Sequence, residues 1–140
     1  MNIKIFYDNV NFRLKESIKI RKLLEKVIKS ENKSTDDLVF IFTNDEKIRE
    51  INKEFIKHNW FTDVIAFDYC ENKNIRGEIY ISVDTVKLNA RNYKVSLKSE
   101  ILRVMIHGIL HLCGYEDETK RKKLIMKDKE DLWIKKYYTK

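Results

Sequence analysis

The chain has no proline, three glycines and two cysteines among 140 residues. With no proline and no Gly/Ser-rich stretch there is no linker to divide it, so residues 1–140 read as one continuous domain. Cys70 and Cys113 are too few for a disulfide scaffold and lack the Cys-x-x-Cys spacing of a zinc ribbon, which fits a reducing cytoplasm. Strictly apolar runs such as Leu38-Val39-Phe40-Ile41-Phe42 are too short to span a bilayer. The opening stretch from Met1 to Asp8 has no apolar segment of signal-peptide length. A cytoplasmic location without a membrane partner is therefore expected.

Charge is abundant but uneven. The net +7 divides into +3 over residues 1–60, −2 over 61–119 and +6 over 120–140. An acidic middle suits a cation, and a basic flank suits either a polyanion such as RNA or simple solvation of a lysine-rich helix. Lysine outnumbers arginine 22 to 7, which argues against sequence reading by bidentate arginine.

Alternation of Ile3, Ile5 and Tyr7 predicts a strand over Asn2–Tyr7. Ile20, Leu23, Leu24, Val27 and Ile28 predict an amphipathic helix over Glu16–Lys29. Asp37–Thr43 reads as a buried strand, followed by a helix capped by Thr43 or Asn44 and carrying Ile48, Ile51 and Phe55. Val64–Tyr69 and Glu78–Ser82 predict a hairpin across the polar segment 71–77, with Glu78 as a surface residue on a sheet edge. Three helices follow. They are a short one over Asp84–Asn92, one over Ser96–Cys113 capped by Ser96 and ended by Gly114, and one over Lys120–Tyr138 burying Ile125, Leu132 and Trp133. The expected architecture is α+β: a mixed sheet of about four strands packed with about five helices.

The segment His107-Gly-Ile-Leu-His111-Leu-Cys-Gly114-Tyr-Glu-Asp-Glu118 holds two of the three histidines and two of the three glycines. It closes a helix that is apolar nearly all round, where buried imidazoles need partners. Spacing of i, i+4 puts both rings on one face, one turn apart, which suits two ligands of one ion; two structural histidines are the alternative. Gly114 permits a left-handed turn that brings Glu116, Asp117 or Glu118 within reach as a third ligand. Two imidazoles and a carboxylate leave a tetrahedral ion one open position, as hydrolytic zinc sites require. A zincin peptidase carries its catalytic Glu directly after the first His, where this chain has Gly108, so a metallopeptidase is disfavoured.

These residues resemble the YbeY family of bacterial rRNA-maturation metallo-endoribonucleases, whose signature H-G-x-L-H-L-x-G-Y is matched from His107 to Tyr115. Two upstream blocks agree as well: Ile51-Asn52-Lys53-Glu54-Phe55-Ile56 with Phe61-Thr62-Asp63-Val64-Ile65-Ala66-Phe67, and Gly77-Glu78-Ile79-Tyr80-Ile81-Ser82. The resemblance implies a zinc-containing, single-strand-specific endoribonuclease acting at the 3′ end of 16S rRNA and in ribosome quality control. It implies one Zn2+ ion, catalytic residues His107 and His111, and partners in the 16S precursor and the small ribosomal subunit, with no DNA expected.

Three departures accompany it. The third metal-binding histidine of the family falls on Asp117, which is a competent oxygen ligand. An arginine implicated in RNA processing falls on Ile56, so its role does not carry over. Phe61 and Ala66 stand where the family has Pro and Ser. A zinc-stabilised, non-catalytic ribosome-associated factor is the rival reading that Ile56 motivates. Further substrate contacts are assigned to Thr62, Asp63, Arg103 and Lys57, weighed against turn caps and simple ion pairs. His58 reads as exposed, and Trp60 and Phe61 as either stacking surface or core.

Overall fold

The computed structural model describes residues 2–56 and 63–139, the side chain of Ile56 excepted. Its four strands are β1 (Ile3–Tyr7), β2 (Ser34–Thr43), β3 (Val64–Asp68) and β4 (Asn74–Ser82). They form one sheet in the order β1-β2-β4-β3, with β1, β2 and β4 mutually parallel and β3 antiparallel to β4. Among the described residues there are five α-helices: α1 (Ser17–Ser30), α2 (Asp45–Ile51), α3 (Val83–Tyr93), α4 (Leu97–Leu112) and α5 (Lys120–Tyr138). The expected single α+β domain with a mixed four-stranded sheet and five helices is what forms.

Register sorts the side chains. Ile3, Leu38, Phe40, Phe42, Ile79 and Ile81 share one face of the sheet, and all are buried beneath α1 and α4. Ile65 and Tyr80 turn to the opposite face and pack with Ile48 and Ile51 of α2. Helix α4 is central, as its apolar circumference predicts: ten of its residues are buried. Gly108 lets it lie close against β4, since a Cβ there would stand 3.0 Å from Cγ2 and 3.1 Å from Cδ1 of Ile79.

Several expectations need correction. Strand β4 begins at Asn74, so the hairpin connection is shorter than 71–77, and β4 is an interior strand. Glu78 is thus half-buried in the sheet and accepts a 3.3 Å hydrogen bond from the Tyr69 hydroxyl, instead of lying on an edge. Past Ile51 the chain widens into a π-helical turn over Asn52–Ile56, which swings Phe55 outward to 63% exposure. In α5, Trp133 is buried, but Ile125 and Leu132 are 43% and 48% exposed. The buried stripe is Met126, Glu130, Trp133 and Tyr137. The helix is rotated because its inward face carries a carboxylate with partners, which an apolar count cannot register.

Candidate metal centre

Helix α4 presents His107 and His111 on one face, with ring centroids 4.5 Å apart. It ends at Cys113, and Gly114 takes φ +106°, a left-handed backbone that reverses the chain toward the histidines. The following acids then separate by charge pairing. Glu116 and Glu118 both turn to Lys122, at 2.6 and 3.6 Å. Asp117 instead places Oδ2 3.4 Å from Nε2 of His107 and 3.6 Å from Nε2 of His111. The two Nε2 atoms are 3.0 Å apart. One donor atom from each of the three residues therefore falls within a 4.8 Å cluster.

Both imidazoles are oriented from behind. Nδ1 of His111 lies 3.0 Å from the carbonyl oxygen of Tyr115, which can only accept, so Nδ1 carries the proton. Nδ1 of His107 lies 2.7 Å from Oε2 of Glu130, and the other Glu130 oxygen accepts a 2.9 Å hydrogen bond from Arg103 Nη1. Donating through Nδ1 turns the two Nε2 atoms toward each other, an arrangement satisfied either by a proton shared between them or by a bound cation. Tetrahedral ligands about 2.05 Å from a zinc ion stand about 3.3 Å apart, close to the three separations found here. The donor set therefore fits a small divalent ion. Burial alone would lower the His107 pKa, but the hydrogen bond and charge of Glu130, with Asp117 and Asp63, leave it above the ordinary histidine value.

The other residues singled out in the sequence distribute as follows. Asp63, just before β3, lines a cavity of about 660 Å³ together with Asn52, Asp68, His107, His111 and Asp117. Arg103 takes its acid-pairing alternative: its guanidinium bonds Glu130 and, at 2.5 Å, Asp131. Burial opposes its charge, yet these two carboxylates raise its pKa. Thr62, Lys57, His58, Trp60 and Phe61 lie outside the described residues. Burial pushes the Cys113 thiol up to about 12 and the Cys70 thiol up to about 11, so neither is a nucleophile.

Sequence reasoning missed Glu130, the carboxylate behind His107, and the Tyr115 carbonyl behind His111. For Glu130 a signal existed: it is in phase with Met126, Trp133 and Tyr137. Tyr115 is itself anchored, its hydroxyl donating to Glu31 at 2.8 Å.

Comparison with known proteins agrees over nearly the whole chain. The family model described as Endoribonuclease YbeY matches residues 6–138. The Endoribonuclease YbeY of Flavobacterium psychrophilum is 41% identical over 135 residues, covering 96% of this chain and 96% of that protein. That of Christiangramia forsetii is 40% identical over 126 residues, covering 90% and 88%. The solution structure of TM1509 from Thermotoga maritima superposes with a TM-score of 0.68 at 28% identity, over 97% of this chain and 89% of that one. Matched by the family model over residues 6–138 and about 40% identical to relatives covered nearly end to end, this chain belongs to the YbeY endoribonuclease family.

Proposed function

We propose that this protein is a zinc-dependent, single-strand-specific endoribonuclease that matures the 3′ end of 16S rRNA on the small ribosomal subunit and serves ribosome quality control in the cytoplasm. The observation that carries the reading is the convergence of His107, His111 and Asp117, with both Nδ1 atoms engaged from behind and both Nε2 atoms turned toward each other and the Asp117 carboxylate. When bound there, a zinc ion supplies Lewis acidity toward a phosphoryl oxygen and acidifies water. The chain's own residues prepare the site. His107 and His111 hold fixed tautomers, and Glu130 and the Tyr115 carbonyl keep their rings from rotating. Asp117 completes the donor set, while Lys122 draws Glu116 and Glu118 away from it. Lys123 and Lys127 of α5 line the cleft beside His107 and would attract the phosphate backbone.

The test is cleavage of a 16S precursor by the zinc-loaded protein, compared with His107→Ala and His111→Ala. Both variants should lose cleavage and bound zinc together, and undiminished cleavage by either sinks the reading. A cyclic phosphate on the product would assign the attack to the ribose 2′-hydroxyl, and a plain 5′-phosphate with a 3′-hydroxyl to water. The non-catalytic factor keeps one observation in its favour: Ile56 occupies the position of the arginine in the resembling motif. A zinc-replete protein that binds the small subunit and cuts no RNA would establish it.

A further inference from the structure

The metal triad does not close off the cleft. His107 and Asp117 line the cavity beside β3, and they also line a second cavity of about 450 Å³ that runs toward the α3–α4 corner and α5. A strand cut internally needs room on both sides of the broken phosphate, and the second cavity provides the far side. Its wall combines Tyr93 at the end of α3, Val95, Met126 and Glu100. Tyr93 is 65% exposed at the mouth, whereas Glu100 is 3% exposed.

Glu100 is an unusual residue to bury. Among the described residues its carboxylate has no side-chain hydrogen bond or ion pair, and its oxygens are not fully enclosed. The charges that act on it are Arg103, Asp63 and Glu130, and Arg103 is already bonded to Glu130 and Asp131. Burial pushes its carboxyl up to about 6. A buried carboxylate without a partner weakens the fold, so packing alone gives no reason to keep one. Seven residues separate Glu100 from His107 along α4, about 10 Å of axial rise. That is too far for contact with a phosphate at the triad, and suits a base on the adjoining nucleotide.

Resting on the nuclease reading above, we propose that this cavity is a nucleobase subsite flanking the cleaved phosphate, where Tyr93 stacks on an unpaired base and Glu100 accepts its N–H groups. The chemistry favours guanine. Its Watson–Crick edge offers N1–H and N2–H side by side to the two oxygens of a carboxylate. Cytosine and adenine offer only an exocyclic amino group to such an acceptor, and uracil a single imino N–H. An aromatic face accepts any base, so Tyr93 supplies affinity and Glu100 selectivity.

The test measures direct binding of zinc-loaded protein to fluorescent hexauridylates carrying one guanosine, one inosine or no substitution, with cleavage of the same strands followed separately. Inosine lacks only the N2 amino group. The wild-type protein should bind the guanosine strand roughly tenfold more tightly than the inosine strand. Glu100→Gln, with bound zinc and melting temperature checked, should bring that ratio to about one. Tyr93→Ala should weaken all three strands by a similar factor, roughly tenfold. The inference is overturned if the wild-type protein does not discriminate, or if Glu100→Gln still does. It is also overturned if that variant melts lower and weakens every strand equally, which would make Glu100 a support of the α4 N-terminus. Guanosine preference without any cleavage would uphold the subsite and count against the nuclease reading; cleavage without preference would do the reverse.

Discussion

Glu130→Gln is the most informative single change at the metal centre. Glu130 is 6% exposed and joins α5 to α4 through Oε2 on His107 Nδ1 at 2.7 Å and Oε1 on Arg103 at 2.9 Å. Glutamine keeps the shape but turns one acceptor into a donor. If its oxygen stays on His107, its amide N–H groups confront the Arg103 guanidinium, which can only donate. Breaking a fully buried ion pair costs about 3–5 kcal/mol. Here Arg103 is 31% exposed and retains Asp131, so a loss of about 1–3 kcal/mol in the metal-free protein is expected. Orientation of a ligating histidine by such a carboxylate is worth about 10–100-fold in metal affinity, or about 1.4–2.7 kcal/mol. Competition against a chromophoric chelator at pH 8, where protons compete little for the imidazoles, measures the second term; chemical denaturation with chelator present measures the first. Zinc affinity within twofold of wild type would refute the claim that Glu130 sets the His107 ring.

Further outcomes follow from the same geometry. Asp117→Ala should lose about one equivalent of bound zinc on elemental analysis, whereas Glu116→Ala, which only releases Lys122, should retain it. Gly108→Ala sets a helix-propensity gain of about 1 kcal/mol against overpacking on Ile79 of about 1–3 kcal/mol, so a net loss of about 1 kcal/mol is expected in denaturant titration; a gain would show that Ile79 yields freely. Glu100 has its folded pKa raised from 4.5 to about 6 by burial, so its stabilising contribution is complete below 4.5 and is lost as pH rises through 6. Relative to wild type, Glu100→Gln should therefore gain up to about 2 kcal/mol between pH 4 and 8, and a pH-independent difference would contradict the burial of that carboxylate.

What could be read from the chain depended on how strongly each segment's periodicity is tied to burial. Helix α1 is legible because the five apolar residues at helical spacing, Ile20, Leu23, Leu24, Val27 and Ile28, are all buried on one side, and α4 because it is apolar nearly all round. The pair His107 and His111, with Gly114 after them, was equally legible, since helix spacing and a left-handed turn are local properties. Helix α5 was misphased. Lysine stems cover apolar surface without marking it, and the inward residue Glu130 is polar, so Ile125 and Leu132 looked like the stripe when they are exposed. Choosing Asp117 from among three adjacent acids depended on a family alignment in the sequence; in space the choice follows from Lys122, which occupies the other two. Glu130 lies 23 residues from His107, and no local rule connects them.

The triad has a further property: all three donors come from residues 107–117, one helix end and the reversal after it. Gathering them closes only a short stretch of chain, at small entropic cost. The grip of Glu130, by contrast, requires α5 to have docked. A change in α5 that loosens Glu130 should therefore weaken the hold on an ion without dispersing the three donors.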